Sequence, residues 1–169
     1  MDTRTLIPLE EYLSTDYSPD CDYVDGEVLE RNLGQCDHSS AQTNFVLLLG
    51  PLQKKLGIRV RTELRVRVSG RRVRIPDVCV VIGRPTEQVL TTPPFLCIEV
   101  LSPDDRMSRI QERVEDYLAM GVAYVWVVDP ATKAAWIITR AEGWREEKSG
   151  ILKTANPDIE VPLAEIFAE

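Results

Sequence analysis

The sequence predicts an α/β fold of the mixed α+β kind, with one mixed central β-sheet flanked by helices, and three observations carry that expectation. The short runs RIPDVCVVI, FLCIEVL and AYVWVVDP are apolar on both faces, as buried strands are. An amphipathic helical stretch separates the last two, which makes them parallel neighbours through a right-handed crossover. Elsewhere, period-two alternation and turn dipeptides mark antiparallel hairpins.

Composition bounds the rest. A chain of 169 residues, 44% hydrophobic and 28% charged, suits a single domain over residues 1–169 with a sizeable core. No run approaches the ~20 apolar residues of a membrane-spanning helix, and MDTRTLIPLEEYL lacks the basic start and apolar stretch of a signal peptide. The expected location is therefore cytoplasmic, without a membrane partner. Cys21, Cys36, Cys79 and Cys97 form no CxxC pair, and two of them lie in apolar runs, so neither a zinc site nor a disulfide framework is indicated. The net charge of −7 is spread unevenly: residues 59 to 74 hold seven arginines against one acid, Glu63. Local fields govern anionic ligands more than the total does, so nucleic acid stays open as a partner.

Along the chain, IPLEEYL is an amphipathic start, and CDYVDGEVLE reads as a hairpin turning at Asp25-Gly26. Phe45, Leu48, Leu49, Leu52 and Leu56 have helical spacing up to Gly57, with Pro51 kinking or splitting that helix. IRVRTELRVRV alternates apolar and basic residues as one half-buried strand, and Ser69-Gly70 turns it into RRVRIPDVCVVIG as a long hairpin. In SPDDRMSRIQERVEDYLAMGV, Ser102 caps a helix whose first turn holds Pro103, Asp104 and Asp105, and Gly121 ends it. Its apolar stripe is Met107, Ile110, Val114 and Tyr117, and Arg106, Arg109 and Arg113 share a basic stripe beside it. KAAWIITR and GWREEK form an edge hairpin, and NPDIEVPLAEIF is a loop with a closing apolar turn. Trp126, Trp136 and Trp144 read as packing residues.

Two buried strands each carry one acid, Asp77 and Glu99. If the strands are neighbours, period-two geometry points both acids the same way. At ~4 Å and an effective dielectric of ~20, two negative charges repel by ~4 kcal/mol, so such a pair shares a proton or recruits a cation. The cation is either an arginine, Arg74 or Arg113, or a divalent metal of the hard Mg²⁺ or Mn²⁺ class. His38 beside Ser39 and Ser40 does not make a serine hydrolase, since no GxSxG elbow accompanies it. The arginine-rich strand is either a solvated hairpin face or a phosphate-tracking surface.

Pro76-Asp77 followed by a strand bearing Glu99 and then a basic residue resembles the PD-(D/E)XK nuclease superfamily. More closely, LEEYL, YVDGEV, His38 before the long helix, RVRIPDVCVV, IEVLSP, DYLAMGVAYVWVVDP and LAEIF together resemble the Uma-type restriction endonuclease family, nearly end to end. The resemblance implies a restriction-endonuclease-like fold and a Mg²⁺- or Mn²⁺-dependent endonuclease cutting phosphodiesters, in DNA. It implies Asp77 and Glu99 as metal ligands, Glu27 as a third acidic contributor, and the Val100 carbonyl as a further ligand. The lysine of the superfamily pattern would fall on Leu101; in this family it moves to the following helix, where Arg113 stands. Arginine holds phosphate but is not a general base. His38, Arg65, Arg67, Arg74, Arg106 and Arg109 are the candidate nucleic-acid contacts. A homodimer is expected if both strands of a duplex are cut. The alternative is a nuclease-fold protein without turnover that binds nucleic acid or a protein partner.

Overall fold

The computed structural model describes residues 5–32 and 34–168. The chain opens with helix α1 (Leu9–Leu13) and the hairpin of β1 (Cys21–Val24) with β2 (Glu27–Glu30). Asp25 and Gly26 both adopt positive φ at its turn, the backbone that a two-residue Asp-Gly turn demands. Helices α2 (Cys36–Leu49) and α3 (Leu52–Leu56) follow, divided at Gly50-Pro51, so Pro51 splits the helix. Gly57 ends α3 with φ 65.

The arginine-rich stretch departs from expectation. It forms two strands, β3 (Ile58–Thr62) and β4 (Val66–Ser69), broken where Glu63 takes φ 51. The returning arm is broken too, into β5 (Arg72–Arg74) and β6 (Val78–Ile82), with Pro76 between them. Proline has no N–H for a ladder, and left-handed backbone ends strand geometry, so the long hairpin bends into two sheets. Its outer half pairs β4 with β5 in a four-stranded sheet of order β2-β1-β5-β4. Its inner half pairs β3 with β6 in the main sheet.

That main sheet continues through β7 (Leu96–Val100), helix α4 (Met107–Met120), β8 (Tyr124–Asp129), β9 (Ala134–Thr139) and β10 (Gly143–Glu146). Its order is β10-β9-β8-β7-β6-β3, with β7 and β8 the one parallel pair, joined by α4 as expected. The main sheet is therefore mixed and central, as the sequence predicts. Helix α4 starts later than expected. The Asp105 carboxylate accepts the Ser102 N–H at 2.7 Å and the Asp105 N–H donates to the Ser102 carbonyl at 2.9 Å, a closed turn that competes with helix. The tail forms a hairpin, β11 (Ile151–Thr154) with β12 (Ile159–Pro162), then α5 (Leu163–Ile166), where a loop was expected.

Each face of the main sheet has its own core. On one, Ala41, Phe45 and Leu49 of α2 pack with Val78, Val80, Leu96, Ile98 and Trp126, closed by β11, β12 and α5. On the other, Ile110, Val114 and Tyr117 of α4 pack with Cys79, Cys97, Val125 and Val127, and with Val66 and Val68 of β4. Trp126 is fully buried, and Trp136 and Trp144 meet edge-on at 6.5 Å on the outer hairpin, so all three tryptophans pack. The four cysteines are free thiols. Among the described residues, no helix is long and apolar enough to cross a membrane.

Phe45 is fully buried with its ring 6.3 Å from that of Trp126. Phe45→Ala should cost about 3–5 kcal/mol of stability by urea unfolding, with the denaturant slope unchanged.

Candidate active site

Asp77 sits at the mouth of β6, where the chain leaves Pro76. Pairing of Val78 with Ile98 and Cys79 with Cys97 carries β6 antiparallel to β7, bringing Asp77 alongside Glu99 and Val100. The Asp77 carboxylate accepts the Val100 N–H at 2.8 Å, the Arg31 Nη2 at 2.6 Å, and faces the His38 Nε2 at 3.3 Å. Its own carbonyl accepts Gln42 Nε2 at 2.9 Å and the Glu63 N–H at 3.3 Å. Gly34 permits the close approach of the chain over His38, because a Cβ there would lie 3.0 Å from Nδ1.

Glu99, 1% exposed, is the second acid. Tyr117 Oη donates to its Oε1 at 2.6 Å and Arg113 Nη1 to its Oε2 at 3.1 Å. Arg113 does not end there: its Nε donates to Asp22 Oδ2 at 3.1 Å. Asp22 in turn takes Arg74 Nη1 at 3.1 Å and the Ile75 N–H at 3.3 Å, and Arg74 Nε reaches Asp116 at 2.7 Å. The buried acids are thus neutralised by a relay of arginines running from the main sheet into the small one, as low-dielectric surroundings require.

The two acids respond oppositely. Burial would raise Asp77, but the hydrogen bond from His38 and the charge of Arg31 outweigh it and hold its carboxyl below the usual range. Burial, helped by the negative charge of Asp77, pushes Glu99 up to about 7 against the opposing charge of Arg113. His38 is raised, since its hydrogen bond and attraction to Asp77 exceed the burial that opposes its charge.

The other expected residues distribute as follows. Glu27 begins β2 and lines a concavity of about 500 Å³ that Arg31 and Arg109 also line. Arg106 and Arg109 are exposed at the start of α4. Arg65 is engaged, donating to Asp20 at 2.9 Å and stacking over the Tyr12 ring at 5.0 Å. Arg74 is 2% exposed and belongs to the relay, whereas Arg67 is half-buried on β4. Among the described residues, no group of three or more His, Cys, Asp or Glu side chains converges as a metal cage. Arg31 and Asp22 were not anticipated from the sequence, and Tyr117 was expected only as part of the apolar stripe of its helix. Tyr117 lies within DYLAMGV, but nothing in the local pattern marks Arg31 or Asp22.

The whole arrangement, a mixed central sheet flanked by helices, is that of a nuclease-like fold. The chain belongs to the Uma2 family, described as "Putative restriction endonuclease", whose model matches residues 9–166. Among solved structures it is similar to "a putative nuclease belonging to DUF820" from Anabaena variabilis ATCC 29413. Identity is 21% over 96% of this chain and 98% of that one, with a TM-score of 0.83. No curated protein matches the chain.

Glu99 gives a pH signature. Between ~4.5 and ~7 the folded state keeps a proton that the unfolded state has released, so stability falls as pH rises through that window, by up to about 3 kcal/mol. His38, raised when folded, adds a loss only above its unfolded pKa of ~6.5. Urea unfolding across pH 4.5–8 should show both declines in the wild type, and Glu99→Gln should remove the lower one alone.

Proposed function

We propose that the protein is a Mg²⁺- or Mn²⁺-dependent endonuclease acting on DNA, with Asp77 and Glu99 at its centre. The observation that carries the reading is the Asp77 carboxylate seated on the Val100 N–H beside Glu99, across the β6–β7 pair, in a chain of this family. The donor set fits a hard cation: two carboxylates with the Val100 carbonyl are oxygen ligands, and Mg²⁺ needs only one or two carboxylates beside waters and phosphate. When bound, the metal supplies Lewis-acid stabilisation of phosphate charge and lowers the pKa of a coordinated water.

The chain's own residues do the rest. Arg113 fixes the Glu99 carboxylate from one side while Tyr117 fixes it from the other. Being guanidinium, Arg113 stays protonated, so its role is to position and to neutralise rather than to remove a proton. Arg109 and Glu27 line the neighbouring concavity, where Arg109 is exposed to meet a phosphate. Arg31 is the competitor for the metal position at Asp77. Among the described residues its buried Nε has no hydrogen-bond partner, so the guanidinium is held there by Asp77 at an incompletely satisfied site.

The same arginines favour a second reading, a nuclease-fold protein that binds nucleic acid without turnover, because Arg31 and Arg113 already neutralise both acids. Plasmid incubated with Mg²⁺ or Mn²⁺ separates the two. Cleavage lost about 100-fold or more in Asp77→Ala and in Glu99→Ala is expected; cleavage indifferent to both sinks the enzymatic reading. Calorimetry with Mn²⁺ alone gives a readout apart from activity. Arg31→Ala should tighten Mn²⁺ binding about tenfold, and adding Asp77→Ala should abolish that gain.

A further inference from the structure

A basic surface open to a ligand lies on the outer edge of the main sheet. An open concavity of about 730 Å³ is lined by Gln53 and Lys54 of α3, Gly57, Arg59 and Arg61 of β3, Gly83 and Arg84. Four of these residues are cationic and none is acidic, in a chain of net charge −7. By contrast, the cavity of about 330 Å³ beside His38 is lined by Asp37, Asp105 and Asp129. Several arginines elsewhere are paired: Arg31, Arg65, Arg72, Arg74 and Arg113 each hold a carboxylate. Among the described residues, no carboxylate ion pair is made by Lys54, Arg59, Arg61 or Arg84. Arg59 and Arg61 fold onto the backbone, Nη1 of each donating to the carbonyl before it, at 2.6 and 3.0 Å. Their remaining N–H donors are left for a ligand, and as alternate residues they share one face of the strand.

The partner's chemistry follows from where this edge leads. β3 runs from Ile58 to Thr62, and the next residue, Glu63, donates its N–H to the carbonyl of Asp77. One end of the basic row is thus the candidate active site. We propose that this edge, with Lys54, Arg59, Arg61 and Arg84, is a sequence-independent track for the phosphodiester backbone of a nucleic acid extending from that site. The proposal rests on the nuclease reading for its ligand class. Five residues at ~3.4 Å each span about 17 Å, the axial length of roughly five nucleotides of one duplex strand. An acidic protein segment would match the charge equally well, but nothing in such a partner ties it to the carboxylate end of β3.

The experiment is anisotropy of a labelled DNA duplex with EDTA present, over a salt series, so that binding is read without cleavage. Lys54→Gln, Arg61→Gln and Arg84→Gln are combined, since all three residues are exposed. A control removes the same charge at Lys133, Lys148 and Lys153, also by glutamine. The edge variant is expected to lose about tenfold or more in affinity and roughly 2–3 from the slope of log K against log salt, with the control near wild type. Thermal unfolding of both should match the wild type. Equal losses in both triple variants, no loss in the edge variant, or no DNA binding by the wild type would each overturn the proposal. So would competition by polyglutamate as effective as by unlabelled DNA, which would assign the edge to an acidic protein. Edge-dependent binding with no cleavage under Mg²⁺ or Mn²⁺ supports the track while removing the nuclease reading.

Discussion

The bond from the Val100 N–H to the Asp77 carboxylate is the constraint on which the rest of the structure depends. It fixes an acid at a strand mouth against the backbone of its neighbour, and that acid gathers Arg31 from the segment after β2 and His38 from the start of α2. A buried carboxylate cannot stand alone, so each element that approaches it must bring a donor. The loop and the helix over the site are held there by charge as much as by packing.

The arginine relay extends the same logic. Asp22 belongs to the small sheet and Glu99 to the main one, and Arg113 on α4 touches both. Apolar residues of matching volume would glue the sheets together as firmly, since desolvation consumes much of what a buried ion pair gains. What the charges add is direction. Each guanidinium has a fixed fork, and only one docking of the small sheet on α4 satisfies Asp22, Arg74 and Asp116 together.

Much of this was legible in the residues. Two-faced apolar runs identified β6, β7 and β8, the helical stripe of Met107 to Tyr117 identified the crossover, and Asp25-Gly26 identified the first hairpin. With the two strands taken as neighbours, period-two geometry pointed Asp77 and Glu99 the same way. Other features were hidden for physical reasons. Strand alternation continues unbroken through Glu63, and only its positive φ reveals the bend. The turn at Ser102 and Asp105 imitates a helix cap in composition. Arg31 and Asp22 carry no periodic signal because long-range ion pairing leaves none. Arginine content alone did not separate committed from open cations: Arg65 and Arg74 are spoken for by acids distant in sequence, whereas Arg59 and Arg61 are not.

The bent hairpin has a consequence for how this chain can change. Both arms of a single ribbon cross from one sheet to the other at matched points, Glu63 on one arm and Pro76 on the other, with Asp77 just beyond. A strand displaced by one residue turns its inward side chains outward. An insertion or deletion near either crossing would therefore invert the faces of β4 or β5 while β3 and β6 stayed in place, setting Val66 and Val73 against solvent. Length variation is barred from these two corners and falls instead to the exposed turn at Gly70-Arg71 that joins β4 to β5.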